Sequence, residues 1–297
     1  MGDLKGHMLP GIVLLLAGLW WAVGCIRRFL QCRKAGVQYV STATFPCPIS
    51  CGNSQTWPVE AVIKIVVSLL GIIAEVGWNL PHPGMVLVQH ATMYFFFMIS
   101  GVVDLSLHLG LPLPPGTDYA ALALAFLMMG FLFTNHLHDR ELLDVKIHVM
   151  LSYVIFLTVL VILLEARHQK SAMLTLSRSF LVILQGSWLC AVGLILYSHG
   201  DHNEAWDLKS HSDVMLAAVY FCWHCAAIFI LLVILTAVMS LCYRKQDGGV
   251  FRNGSGPHMA QVESNGKYGN YKLLTVRDSE DSDIEFQQPV KKTPTVV

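Results

Sequence analysis

Seven stretches of this chain are each apolar over close to the length that a bilayer-spanning helix requires, which is about 20 residues. They run over Met8–Ile26, Pro58–Trp78, Gly84–Leu109, Asp118–Asn135, Leu142–Leu164, Arg178–Ser198 and Asp213–Cys242. Runs of this length are helices and not barrel strands, and in lipid a helix satisfies its own backbone polar groups. The expected fold class is therefore an all-α membrane protein, a seven-transmembrane-helix bundle embedded in the lipid bilayer. A mean hydropathy of +0.54 and a charged fraction of 13% agree with this. The formal net charge is zero, which gives no reason to expect nucleic acid as a partner. Eight cysteines in 297 residues do not make a disulfide framework. The first run is followed by Arg27 and Arg28 and by no small-residue cleavage site, so it reads as a retained span.

Lys and Arg in the short loops set the orientation. With the N-terminus lumenal or outside, the inner loops hold Arg27, Arg28, Arg33, Lys34, Arg167, Lys170 and Arg178, and the tail adds Arg244 and Lys245. The outer segments then hold only Lys5, Arg140 and Lys209. The chain divides into a transmembrane domain, residues 1–243, and a cytosolic tail, residues 244–297, expected to be disordered for want of apolar periodicity. The loop from Ala35 to Trp57 reads equally well as a surface loop or a shallow re-entrant segment.

Polar residues inside the apolar runs carry the chemistry. Ionisable groups in lipid cost about 2.5–3.5 kcal/mol each on insertion scales, so Glu75, His90, Asp104, Asp144, His148 and His224 are expected to face the bundle interior. His136 and His138 end the fourth run; Asp144 and His148 lie four apart in the fifth, where the carboxylate can orient the imidazole. On the N-outside topology most of the histidines fall in the outer half. Three chemistries suit such a face. One is Zn²⁺ held by His136, His138, Asp144 and His148. A second is haem held by two histidines from different spans, with His90 and His224 beside His136 and His148 as candidates. The third is a zinc-assisted lipid hydrolase, disfavoured because the last run lacks the H-x-x-x-H pair of known seven-span hydrolases. The bland alternative is a set of interhelical hydrogen bonds, worth about 0.6 kcal/mol each. Asp104 is expected to pair with His108, and Glu60 with Lys64 in a structural i,i+4 pair.

Cys25, Cys32 and Cys242 flank the inner interface and are candidates for palmitoylation. In the tail, Tyr271 and Leu274 have the spacing of a sorting signal read by a clathrin adaptor, and Ser279 and Ser282 stand among acids as possible phosphorylation sites.

Several stretches resemble the transmembrane protein 45 family: the start built on Met1, Gly2, Gly6, His7, Leu9, Pro10 and Gly11, the stretch His90 to Phe97, the junction His136-Leu137-His138-Asp139, and the stretch from His199 to Trp223. The resemblance covers about residues 1–243. It implies a seven-helix integral membrane protein of Golgi, endosomal and lysosomal membranes with no established biochemical activity. Together with the residues, it leads to the expectation of a scaffold or trafficking protein, non-catalytic, with a lumen-side His/Asp/Glu cluster. The alternative is a haem- or zinc-dependent membrane enzyme.

Overall fold

A computed structural model describes residues 4–46, 57–77, 84–135, 137, 140–197 and 206–246. They form helices α1 (Leu4–Ala35), α2 (Val59–Gly77), α3 (Met85–His108), α4 (Thr117–Thr134), α5 (Leu142–Arg167), α6 (Ala172–Tyr197) and α7 (His211–Gln246), with no strand among the described residues. Six of these are long and apolar enough to cross a membrane; α2 falls outside that set, its 19 residues including Glu60, Lys64 and Glu75. Gly110 and Gly116, both at positive φ, bracket the proline-rich turn between α3 and α4. His136, His138, the segment 198–205 and the tail with Tyr271, Leu274, Ser279 and Ser282 lie outside the described residues.

The bundle is antiparallel, and the end where the odd-numbered helices begin is called the upper end. Helix α2 packs along α3, α3 on α4, α4 on α5 and α5 on α6; α1 returns to pack along α6, and α7 leans on α6, α5 and α1. The α1–α6 seam is the tightest, because glycines lie on both sides of it. A β-carbon at Gly11 would come within 2.6 Å of Cys190 Sγ, and one at Gly18 within 2.7 Å of the Ile183 backbone. Without a hydrophobic drive between helices in lipid, such close backbone approach supplies the packing. Most of α7 is exposed, including Trp223, Phe229 and Ile234, as befits a surface that meets lipid tails.

Two helix ends differ from the sequence reading. Helix α6 begins six residues before Arg178, and α5 continues past Leu164, so Arg178 and Glu165 are inside the bundle and fully buried. Arg178 is thus no loop charge, and the topological bias rests on the other basic residues.

Candidate functional site

At the lower end, Arg178 and Glu165 are an ion pair, Nε to Oε2 at 2.9 Å. Glu165 also accepts from Thr175 at 2.8 Å and from Tyr119 at 3.4 Å. Arg178 donates to the carbonyls of Ala43 at 2.8 Å and Thr42 at 3.0 Å, and its guanidinium lies 4.4 Å from the Trp21 ring. Those carbonyls belong to residues 37–46, an extended segment that crosses the lower end of the bundle. Tyr39, Ser41, Ala43 and Phe45 alternate inward, a period of two, while Val37 and Val40 face out. Ser41 N donates to Gln169 O at 2.7 Å, and the Phe45 ring rests where a β-carbon at Gly24 would stand. These ten residues are therefore tucked against the lower end of the bundle. Burial pushes the Tyr39 hydroxyl well above the usual phenol range, so it stays a donor and hydrogen-bonds Thr175 at 3.0 Å. Tyr39 also covers Cys25, at 3.5 Å. Cys25 is enclosed by the bundle, whereas Cys32 is half-buried and Cys242 exposed.

Glu60 joins this network to α2. Its carboxylate accepts from the indoles of Trp21 at 2.8 Å and Trp20 at 3.1 Å and from Phe45 N at 2.8 Å. Lys64 sits 3.6 Å from Glu60 but only 2.7 Å from Asp104. Asp104 therefore pairs with Lys64 across α2 and α3, not with His108. A lysine one helix away is a full cation, whereas His108 on the same helix offers a charge only when protonated.

At the upper end the predicted residues separate into distinct contacts. His148, fully buried, places Nδ1 2.8 Å from Asp144, whose carboxylate also meets Arg140 at 3.0 Å. The expected shared face of Asp144 and His148 is present. His7 of α1, which sequence reading did not single out as a site residue, packs edge-on to His148 with ring centres 5.7 Å apart and also against Tyr197. His90 meets Glu75 at 3.2 Å across α2 and α3. His224 meets Ser187 at 3.3 Å between α6 and α7 and stacks edge-on with Trp188. His90 and His224 line different cavities. Among the described residues, no three His, Cys, Asp or Glu side chains converge as metal ligands.

Between these ends lies a slot. Helix α1 follows α6, so it leaves a gap against α2 and α3, and the gap is a cavity of about 370 Å³. Its walls are apolar: Val13, Ala17 and Leu16 on α1, Ile63 and Val67 on α2, and the rings of Tyr94, Phe97, Phe126 and Phe133. Polar side chains mark its two ends, Glu60 and Lys64 below, Glu75 and His90 above. The size is within the range of small-molecule pockets, about 300–1,000 Å³.

Residues 115–237 match the model of the family of unknown function DUF716. The DUF716 match runs from the turn before α4 into α7 and takes in Tyr119, Asp144, His148, Glu165 and Arg178. Along 99% of both chains the sequence is 25% identical to mouse (Mus musculus) transmembrane epididymal protein 1A and 24% identical to rat (Rattus norvegicus) transmembrane epididymal protein 1. The human (Homo sapiens) transmembrane epididymal protein 1 is 31% identical over 137 residues, 46% of this chain and 50% of that one. With six candidate spans and these relatives, the chain is a multi-pass membrane protein in contact with the lipid bilayer.

Proposed function

We propose that this chain is a non-catalytic multi-pass membrane protein of the transmembrane protein 45 kind, and that its working part is the slot, which takes up an apolar molecule from the bilayer. The observation that carries the reading is the cavity itself. Membrane helices pack closely where they can, yet α1 stands off α2 and α3 along a lined, apolar gap. The polar residues around it hold the gap open: Glu60 bridges α2 to the two indoles of α1, and Lys64 ties α2 to α3. The histidines and carboxylates are then ties between helices. The test is native mass spectrometry of protein extracted from membranes. The wild type should retain a lipid that Ala17→Phe, which fills the slot wall, does not. Equal retention by the two would defeat the reading.

The same reading takes α2 as the seventh span. At 1.5 Å per residue its 19 residues reach about 28 Å, close to the hydrocarbon thickness of about 30 Å. Each of its three charged residues has a partner of opposite or convertible charge within the bundle. The N-terminus is outside, the tail cytosolic, and the protein resides in Golgi, endosomal or lysosomal membranes through a tail signal at Tyr271 and Leu274. The scaffold and trafficking role belongs to that tail.

A further inference from the structure

We infer that the lower face of the bundle is a docking surface for an inositol phospholipid that carries phosphates on its ring. The inference is independent of the slot. It rests on the orientation proposed above, in which the lower end meets the cytosolic leaflet.

Basic residues from three elements gather at this end. Helix α1 closes with Arg27, Arg28, Arg33 and Lys34, the α5–α6 turn carries Arg167 and Lys170, and α7 closes with Arg244 and Lys245. Cys25 Sγ lies 3.6 Å from Ala172 O, so residues 26–35 of α1 run on below the start of α6. Arg28 Nη1 donates to Thr42 Oγ1 at 2.8 Å, and Ser41 N donates to Gln169 O at 2.7 Å. The segment 37–46 thereby joins the end of α1 to the turn. Leu143 N donates to Leu208 O at 2.9 Å, which levels the upper ends of α5 and α7. With 36 residues against 26, α7 passes the turn by about 15 Å. Two basic helix ends therefore reach past a basic turn, and both helices pack on α6.

The described carboxylates at this end are engaged or stand elsewhere. Glu165 is held by Arg178 at 2.9 Å, and Asp104 by Lys64 at 2.7 Å. Glu60 accepts from Trp20, Trp21 and Phe45 N. Asp118 begins α4, which packs on α3 and α5. The field below α1, α6 and α7 is thus positive, and each Lys or Arg near an anionic lipid surface gains about fivefold in affinity. Ring phosphates add negative charge alone, and a guanidinium meets phosphate oxygens two at a time. A serine head brings an ammonium as well, which finds no open carboxylate among the described residues here. Exposed apolar side chains stand among the cations: Val37 and Val40 on the extended segment and Phe29 on α1. Such interleaving is how a protein surface rests in a headgroup layer.

The experiment titrates the full chain, purified in neutral detergent, with a dioctanoyl phosphatidylinositol bisphosphate and reads Kd by microscale thermophoresis. Dioctanoyl phosphatidylserine and free inositol trisphosphate are the comparison ligands. The bisphosphate lipid should bind at least about tenfold tighter than the serine lipid, and more weakly as salt rises. Arg33→Gln, Arg167→Gln and Lys170→Gln together should weaken it on the order of a hundredfold, at about fivefold each. All three side chains are exposed, so the melting curve should stay with the wild type. Lys170→Gln with Lys245→Gln is a second route should the triple variant not fold, with a loss of about twenty-fivefold. Lys5→Gln, Lys146→Gln and Lys209→Gln together remove the same charge at the upper end, many Debye lengths away, and should leave Kd within about twofold. Val37→Ser with Val40→Ser should weaken the lipid and not the free trisphosphate. Equal losses from the upper and lower triple variants, or no saturable binding, overturn the surface. A serine lipid as tight as the bisphosphate overturns the head group, and a free trisphosphate as tight as the lipid overturns the membrane as its source. Binding that appears only once Asp278, Glu280, Asp281 and Asp283 are neutralised overturns the lipid in favour of the chain's own tail. None of these outcomes touches the orientation, which the glycosylation state of Asn253 reads separately.

Discussion

Replacing Arg178 by Met should unfold the lower end of the bundle more than its single ion pair would indicate. The guanidinium meets Glu165 at 2.9 Å, two loop carbonyls at 2.8 and 3.0 Å, and the face of Trp21 at 4.4 Å. With methionine there, Glu165 is an enclosed carboxylate supported only by Thr175 and Tyr119. Breaking a buried pair from one side costs about 3–5 kcal/mol, because the remaining charge stays desolvated. For a domain of this size that is a fall in Tm on the order of 10 °C. The two carbonyls lose charged donors as well, at about 1–3 kcal/mol for each one left unsatisfied. Removing both charges, as Glu165→Leu with Arg178→Met, should cost less than Arg178→Met alone, since no charge is orphaned. The assay is a double-mutant cycle on thermal unfolding in detergent, read by size exclusion. Maleimide labelling of Cys25 gives a local signal: when residues 37–46 lift, Tyr39 no longer covers the thiol. Strict additivity of the two substitutions, with Cys25 no more reactive than in the wild type, would refute the claim that this pair pins the segment.

Three further outcomes follow from the same geometry. Gly186→Ala should destabilise by about 1–3 kcal/mol, since a β-carbon there meets Gly11 O at 2.6 Å and the two backbones must part; an unchanged melting curve would disprove the tight seam. His148→Ala should lower stability through loss of its Asp144 tie, and a chelator should leave the wild-type Tm where it is; a chelator-dependent fall, non-additive with His136→Ala, would instead establish the zinc site. In the tail, Tyr271→Ala and Leu274→Ala should raise surface labelling of intact cells, and Asn253 of the Asn253-Gly254-Ser255 sequon should stay unglycosylated; glycosidase-sensitive mobility traced to Asn253 would reverse the topology.

Much of the helical plan is readable from hydropathy, because a bilayer imposes one length and one kind of element. The pairings are not, because they join residues far apart in the chain. Asp104 has His108 four residues away and Lys64 forty away, and local spacing favours the wrong one. Glu165 and Arg178 both sit at the edge of an apolar run, where a charge reads as the start of a loop. Only the partner on the neighbouring helix makes burial affordable there, and no periodicity reports that partner. Two signals were present in the letters. Tyr39, Ser41, Ala43 and Phe45 alternate with small or β-branched residues, the mark of an extended segment with one face covered. Gly11 and Gly18, and likewise Gly186 and Gly193, stand seven apart, the spacing of a seam between two helices.

The distribution of these ties explains why the bundle has a hole at all. In lipid, apolar surfaces gain little from meeting each other, so helices settle where close backbone contact or hydrogen bonds hold them. Helix α1 has its glycines against α6, and that seam fixes its position before α2 is considered. Helix α2 is fixed in turn by Lys64 to Asp104 and Glu75 to His90, both on α3. Between α1 and α2, Glu60 meets the indoles of Trp20 and Trp21 at the lower end. Two helices each held to other neighbours have little to draw them together along an apolar stretch. The slot that remains runs from Glu60 and Lys64 at the lower end to Glu75 and His90 at the upper end.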